Sequence, residues 1–155
     1  MKDLYKIFVS SVIYRDDSKN PIGLVCDTFE NVKQVCEDMS EYKNHDFWDD
    51  YSFERAEIEI LDPKGEIYSV FVGQGKDSVF SELDRSYLIK DNEKNLTEKI
   101  NAIIKANPKD KIEYKKAEIL DANQMWDLYE KNMKSLKIDV SGFRAPTSSL
   151  EGQMI

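Results

Sequence analysis

Residues 5–39, YKIFVSSVIYRDDSKNPIGLVCDTFENVKQVCEDM, decide the fold class. Tyr5–Tyr14 is dense in β-branched and aromatic residues with apolar side chains at both parities, which predicts a largely buried strand. Arg15 to Pro21 are turn formers. Ile22–Cys26 is a second short strand, and the short link between the two makes an antiparallel hairpin the natural pairing. Asp27 then stands where a carboxylate accepts the first N–H bonds of a helix, and Glu30 three residues on completes a capping-box-like pattern. Phe29, Val32, Val35, Cys36 and Met39 share one face at helical spacing, so this face is expected in the core.

Outward from that opening the pattern continues. Phe53–Leu61 alternates Glu57 and Glu59 with Ala56, Ile58 and Ile60, the period of a strand with one wet face. Asp62, Pro63, Lys64 and Gly65 form a turn, and Glu66–Gly73 returns as its hairpin partner. Asp77 or Ser78 opens a short helix through Val79, Phe80, Leu83 and Tyr87, with an extended Tyr87–Ile89 as the alternative. Asn92–Ala106 places Leu96, Ile100, Ile103 and Ile104 at helical spacing before Asn107 and Pro108 end it. Lys111–Leu120 reads as a fifth strand. Asp121 and Gln124 repeat the cap pattern ahead of a stripe of Met125, Trp126, Tyr129, Met133 and Leu136. Ser141–Ile155 is rich in Gly, Pro and Ser without periodicity, and is expected to be a flexible tail. Hairpins with helices segregated between them (ββαββ, then helices, a strand and a last helix) predict an α+β fold. The expectation is a single domain over residues 1–140, with a mainly antiparallel sheet and helices on one face.

The chain has 155 residues, 41% hydrophobic and 34% charged, which suits one globular domain with a real core. No apolar run approaches the roughly 20 residues that cross a bilayer. Asp3 ahead of the first apolar stretch, and Tyr14-Arg15-Asp16 after it, do not fit a secretory signal, so a cytoplasmic protein is expected. Cys26 and Cys36 have no further cysteine with which to build a metal site or disulfide framework, and read as reduced core thiols. The net charge is −8, and the excess of acid lies wholly within residues 1–75. That balance disfavours direct nucleic-acid binding and an anionic membrane, both of which require cationic surface, and favours a basic partner.

Chemistry finds little support. His45 is the one histidine, in a polar loop beside Asp46, and no serine or cysteine sits in a recognisable nucleophile turn. Asp46, Asp49, Asp50 and Glu54 are hard oxygen donors, yet the spacing, glycine and closing glutamate of a calcium loop are missing. Gly73-Gln74-Gly75-Lys76 lacks the length of a phosphate-binding loop. Lys105, Lys109, Lys111, Lys115 and Lys116 are interrupted by Asp110 and Glu113, which reads as a mixed solvated face. No catalytic residue, metal or cofactor is therefore assigned, and a non-catalytic role is expected.

The stretch Glu37–Glu54, EDMSEYKNHDFWDDYSFE, is the strongest lead, with seven carboxylates against one lysine and five aromatic rings. Its structural reading is that Phe47, Trp48 and Phe53 close a sheet edge while the acids solvate the outside. Its functional reading is an interaction site in which Trp48 anchors and Glu41, Asp46, Asp49 and Asp50 steer a basic protein surface. The alternative is a small-ligand module that binds a nucleotide-type metabolite, with Tyr114 and Trp126 stacking on a base and Lys111 or Lys115 meeting a phosphate. Core packing is the competing reading of Trp126.

The opening YKIFVSSVIYRDD through IGLVCDTFENVKQVCEDM also resembles the strand, hairpin, strand and capped helix that begin many small α+β proteins of bacteria and their phages. The likeness covers about the first 40 residues and rests on pattern. Small acidic proteins of this kind include phage inhibitors of host defence, some binding basic nucleic-acid-handling proteins and others sequestering nucleotide signals. The resemblance thus implies an inhibitor of a host protein, with no role carried over to a particular residue.

Overall fold

A computed structural model describes residues 1–11, 19–43, 49–74, 86–106, 108 and 110–144. Along the chain these form β1 (Asp3–Ser11), β2 (Asn20–Asp27), α1 (Phe29–Ser40), β3 (Asp49–Arg55), β4 (Ile58–Ile60), β5 (Glu66–Gln74) and β6 (Ser86–Asp91). Then follow α2 (Glu93–Ala106), β7 (Asp110–Lys116), β8 (Ile119–Leu120) and α3 (Ala122–Ser135). The fold class is α+β. The strands make two four-stranded sheets, β3-β1-β2-β8 and β4-β6-β5-β7, where a single sheet was expected. The chain divides accordingly into two compact units, residues 1–55 with 118–155, and residues 56–117.

The first unit grows from the predicted hairpin. β1 pairs antiparallel with β2 (Tyr5 opposite Val25) and with β3 (Ile7 opposite Phe53), and β8 adds in parallel to β2. Strand alternation turns Tyr5, Ile7 and Val25 inward. They meet Val32, Val35, Cys36 and Met39 of α1, and Met125, Trp126, Tyr129 and Met133 of α3, in one buried cluster. Phe29 departs from its expected place in the core: it is 50% exposed, with its ring edge-on to Phe53 at 5.5 Å. Position 29 lies at the margin of the core-facing stripe, in line with Lys33 and Ser40 rather than with Val35 and Met39.

The cap of α1 also differs from expectation. Thr28 is the N-cap, its Oγ1 accepting the Asn31 N–H at 3.2 Å. Asp27 instead is 3% exposed and joins two helices. Its Oδ1 accepts from the Thr28 N–H (2.7 Å) and the Asn31 amide (2.9 Å), and its Oδ2 accepts from the Ala122 N–H (2.9 Å) in the first turn of α3. Burial opposes its charge, but the bonds from Ala122, Asn31 and Thr28 outweigh that and hold the carboxyl below the usual range. The cap of α3 is as the sequence predicts, a reciprocal capping box between Asp121 and Gln124.

The first residues of the expected tail, 141–144, are docked instead. A 3-10 turn at Ser141–Phe143 docks on the first unit, with Val140 buried, the Phe143 ring edge-on to Tyr42 at 5.6 Å and Arg144 over Trp126 at 5.7 Å. Residues 145–155 lie outside the described residues.

In the second unit β5 is central, antiparallel to β6 and to β7, and β4 pairs in parallel with β6. The predicted hairpin of Phe53–Leu61 with Glu66–Gly73 is therefore not formed, because β6 lies between β4 and β5. The turn itself is present. Leu61 and Asp62 donate to the Lys90 carbonyl (2.9 and 3.1 Å), and a Cβ on Gly65 would stand 2.2 Å from the Asp91 carbonyl carbon. Only glycine lets the turn lie this close to β6. Tyr68, Val70 and Ile89 face Leu96 and Ile100 of α2 in the core of this unit. The helix expected near Asp77 falls outside the described residues, while Tyr87–Ile89 takes the extended alternative within β6.

Candidate functional site

The acidic segment divides between the end of α1 and strand β3. His45, Asp46, Phe47 and Trp48 lie outside the described residues. Glu41 is the exposed C-cap residue of α1, its N–H bonded to the Asp38 carbonyl. Asp49 and Asp50 are adjacent on a strand and so point to opposite faces. Asp49 shares the inner face with Tyr51 and Phe53 and is half-buried; burial, with the Asp50 charge adding, raises its pKa against a bond from Ser11. Its side chain thus lies on the inner face, away from the outer face that carries Asp50. Asp50 is exposed on the outer face with Ser52 and Glu54.

The described aromatic residues of the segment, Tyr42, Tyr51 and Phe53, pack against the core. Tyr51 stands edge-on to Tyr129 at 5.5 Å, and burial raises the pKa of both hydroxyls, that of Tyr129 to about 12. Phe53 stands edge-on to Tyr5 at 5.7 Å and to Phe29. Phe53 thus packs against the core from the inner face of β3.

What the fold adds is a groove of about 390 Å³ between α1 and β3, lined by Phe29, Lys33, Cys36, Glu37, Ser40, Tyr51, Ser52 and Phe53. The helical contributors fall at i, i+4, i+7, i+8 and i+11, one stripe along α1. Ser40 fixes its end: the hydroxyl donates to the Cys36 carbonyl and accepts the Tyr51 N–H, both at 2.8 Å. Burial, then the Glu37 charge, pushes the Cys36 thiol up to about 12, so the sulfur in the wall is neutral and unreactive near pH 7. The acids alongside are loosely opposed. Lys33 lies 4.0 Å from Glu37, Lys43 3.6 Å from Asp50, and Lys19 3.9 Å from Glu54, all on exposed side chains. Such pairs contribute little and exchange readily.

Sequence reasoning missed Phe29, Glu37, Ser40 and Ser52 as wall residues. A phenylalanine followed at helical spacing by lysine, glutamate and serine was the available signal.

The alternative ligand set divides between the two units, with Trp126 in the first and Lys111, Tyr114 and Lys115 in the second. Trp126 is 2% exposed within the first unit's core, its ring beside Tyr129 and under Arg144. Lys111, Tyr114 and Lys115 belong to β7 in the other unit. There, alternation turns Tyr114 toward α2, where its hydroxyl bonds Thr97 at 2.8 Å, while Lys111 and Lys115 point to the opposite face. Lys111 pairs with Glu113 at 3.3 Å, and Lys115 sits over the Phe71 ring at 5.6 Å. A base on Tyr114 thus finds neither lysine beside it.

Among the described residues no three His, Cys, Asp or Glu side chains converge as a metal ion requires, and no helix is long and apolar enough to cross a membrane. No protein-family model matches this chain, and no curated protein or solved structure gives a significant match.

Proposed function

We propose that this protein is a non-catalytic interaction module that engages a basic surface of a partner protein through the α1–β3 region of its first unit. The observation that carries this reading is the groove with aromatic walls (Phe29, Tyr51, Phe53) flanked by Glu37, Asp50 and Glu54. Apolar walls supply area to desolvate, while flanking carboxylates attract cationic side chains and hasten encounter. In the form suggested by the likeness to small phage proteins, occupying that partner surface inhibits it.

The test uses the folded chain with Glu37→Gln, Asp50→Asn and Glu54→Gln combined, titrated against a fluorescent polylysine peptide. Binding is expected to fall at least tenfold in the variant, and to weaken in both proteins as salt shortens the Debye length below its physiological ~8 Å. An unaltered melting curve shows that the fold survives. Equal affinity of variant and parent at low salt removes the proposal.

A further inference from the structure

Resting on that reading, we infer that the partner binds as an extended segment that adds a strand to the free edge of β3, with basic and apolar residues in alternation. β3 ends its sheet, with β1 on one side and no strand on the other among the described residues. Its backbone direction is fixed by one bond. The Tyr51 N–H goes to Ser40 Oγ, away from β1, so Tyr51 and Val9 form a non-hydrogen-bonded pair of the ladder. The same alternation turns the N–H and C=O of Phe53 and Arg55 outward. Those are the groups an incoming strand pairs with. Ser40 holds the Tyr51 donor, so pairing starts beyond it, toward Arg55.

The groove fixes the chemistry of the two faces. Side chains of the added strand on the inner face fall beneath the α1 stripe, against Phe29, Cys36 and Phe53, and are therefore apolar. Those on the outer face lie beside Ser52 and Glu54, with Asp50 just past the end of the pairing, and are therefore basic. The long exposed pairs from Lys43 and Lys19 yield to them at little cost. A second copy of β3 fits poorly, since antiparallel pairing centred on Ser52 sets Asp50 opposite Glu54 twice, and like charges directly opposed destabilise a ladder. The carboxylates thus discourage self-pairing of an open edge while favouring a cationic strand.

The experiment uses the full chain and a peptide of alternating lysine and valine, matched in length to the 7 residues of β3, beside the same peptide N-methylated on one edge. A basic amphipathic helical peptide of equal charge is the third probe. Binding is followed by calorimetry, and amide exchange is read at Phe53 and Arg55. Expected are at least tenfold weaker binding of the N-methylated peptide and slowed exchange at those two amides with the parent peptide only. Phe29→Ala should weaken the parent peptide severalfold without moving the melting temperature. Equal binding of all three peptides with unchanged exchange overturns strand addition yet leaves the electrostatic module standing. Failure of every basic peptide to bind removes both. Slowed exchange at Phe53 with rising protein concentration and no peptide assigns the edge to a second copy and also overturns the inference.

Discussion

The two sheets each end in an exposed strand, and the two strands differ in a way that separates a binding edge from a solvated one. On β7 the outer face carries Lys111, Glu113 and Lys115, already engaged through Lys111–Glu113 at 3.3 Å and Lys115 over Phe71. Its inner face is closed by α2 through Tyr114 and Thr97. On β3 the outer face carries Asp50 and Glu54, with the cations among the described residues at 3.6 and 3.9 Å, and the inner face opens beside α1 into a groove. Opposite charges alternating along one strand largely satisfy each other. Like charges beside an apolar groove leave attraction for something else.

The units also differ in how the chain closes them. The second is one continuous stretch, whereas the first joins residues 1–55 to 118–144, tied by Asp27 to Ala122 across 95 positions. Removing that carboxylate with Asp27→Ala strands the Ala122 N–H and the Asn31 amide in a buried site. A loss of about 3 kcal/mol is expected, read by urea unfolding, with amide exchange rising first in β1, β2 and α3. Equal loosening of β5 and β6 would merge the two units into one cooperative body. The same group sets an acid limit. Its folded pKa lies below the ordinary 3.8, so its stabilisation is complete above that value and fades as pH falls through the lower folded one. Asp27→Asn should flatten that part of the pH–stability curve.

Next in size is Gly65→Ala, whose added methyl meets the Asp91 backbone. A cost of about 2 kcal/mol is expected, localised by exchange to β5 and β6. Protection lost equally in α3 would again dissolve the distinction between the units. The smallest effect sharpens the contrast of edges. Lys111→Gln with Lys115→Gln should change stability by less than about 0.5 kcal/mol and leave polylysine binding within twofold, while neutralising Glu37, Asp50 and Glu54 does not.

Much of the fold was legible because it is local. The β1–β2 hairpin, the core stripe of α1, the α2 stripe and the Asp121–Gln124 capping box follow from residues within a few positions of one another. The misread strands fall where the chain changes unit. Phe53–Leu61 and Lys111–Leu120 each read as one strand, and each is two strands of different sheets, parted at Ala56-Glu57 and Ala117-Glu118. Neither break holds a glycine or proline, and the one cue at the first is a shift of apolar parity, from Tyr51 and Phe53 to Ile58 and Ile60. Of the candidate site, the charge of Asp50 and the packing of Phe53 were visible. The groove was not, since it needs α1 and β3 side by side.

By itself the sequence determined the class of fold, the sign and position of the charge, and the helices with their buried faces, because periodicity and capping act over a few residues. Tertiary structure alone decided that β6 enters between β4 and β5, that Asp27 serves two helices rather than capping one, and that β3 is an edge. Strand order and edge position depend on which distant segments supply backbone partners, and no local pattern of side chains encodes that choice.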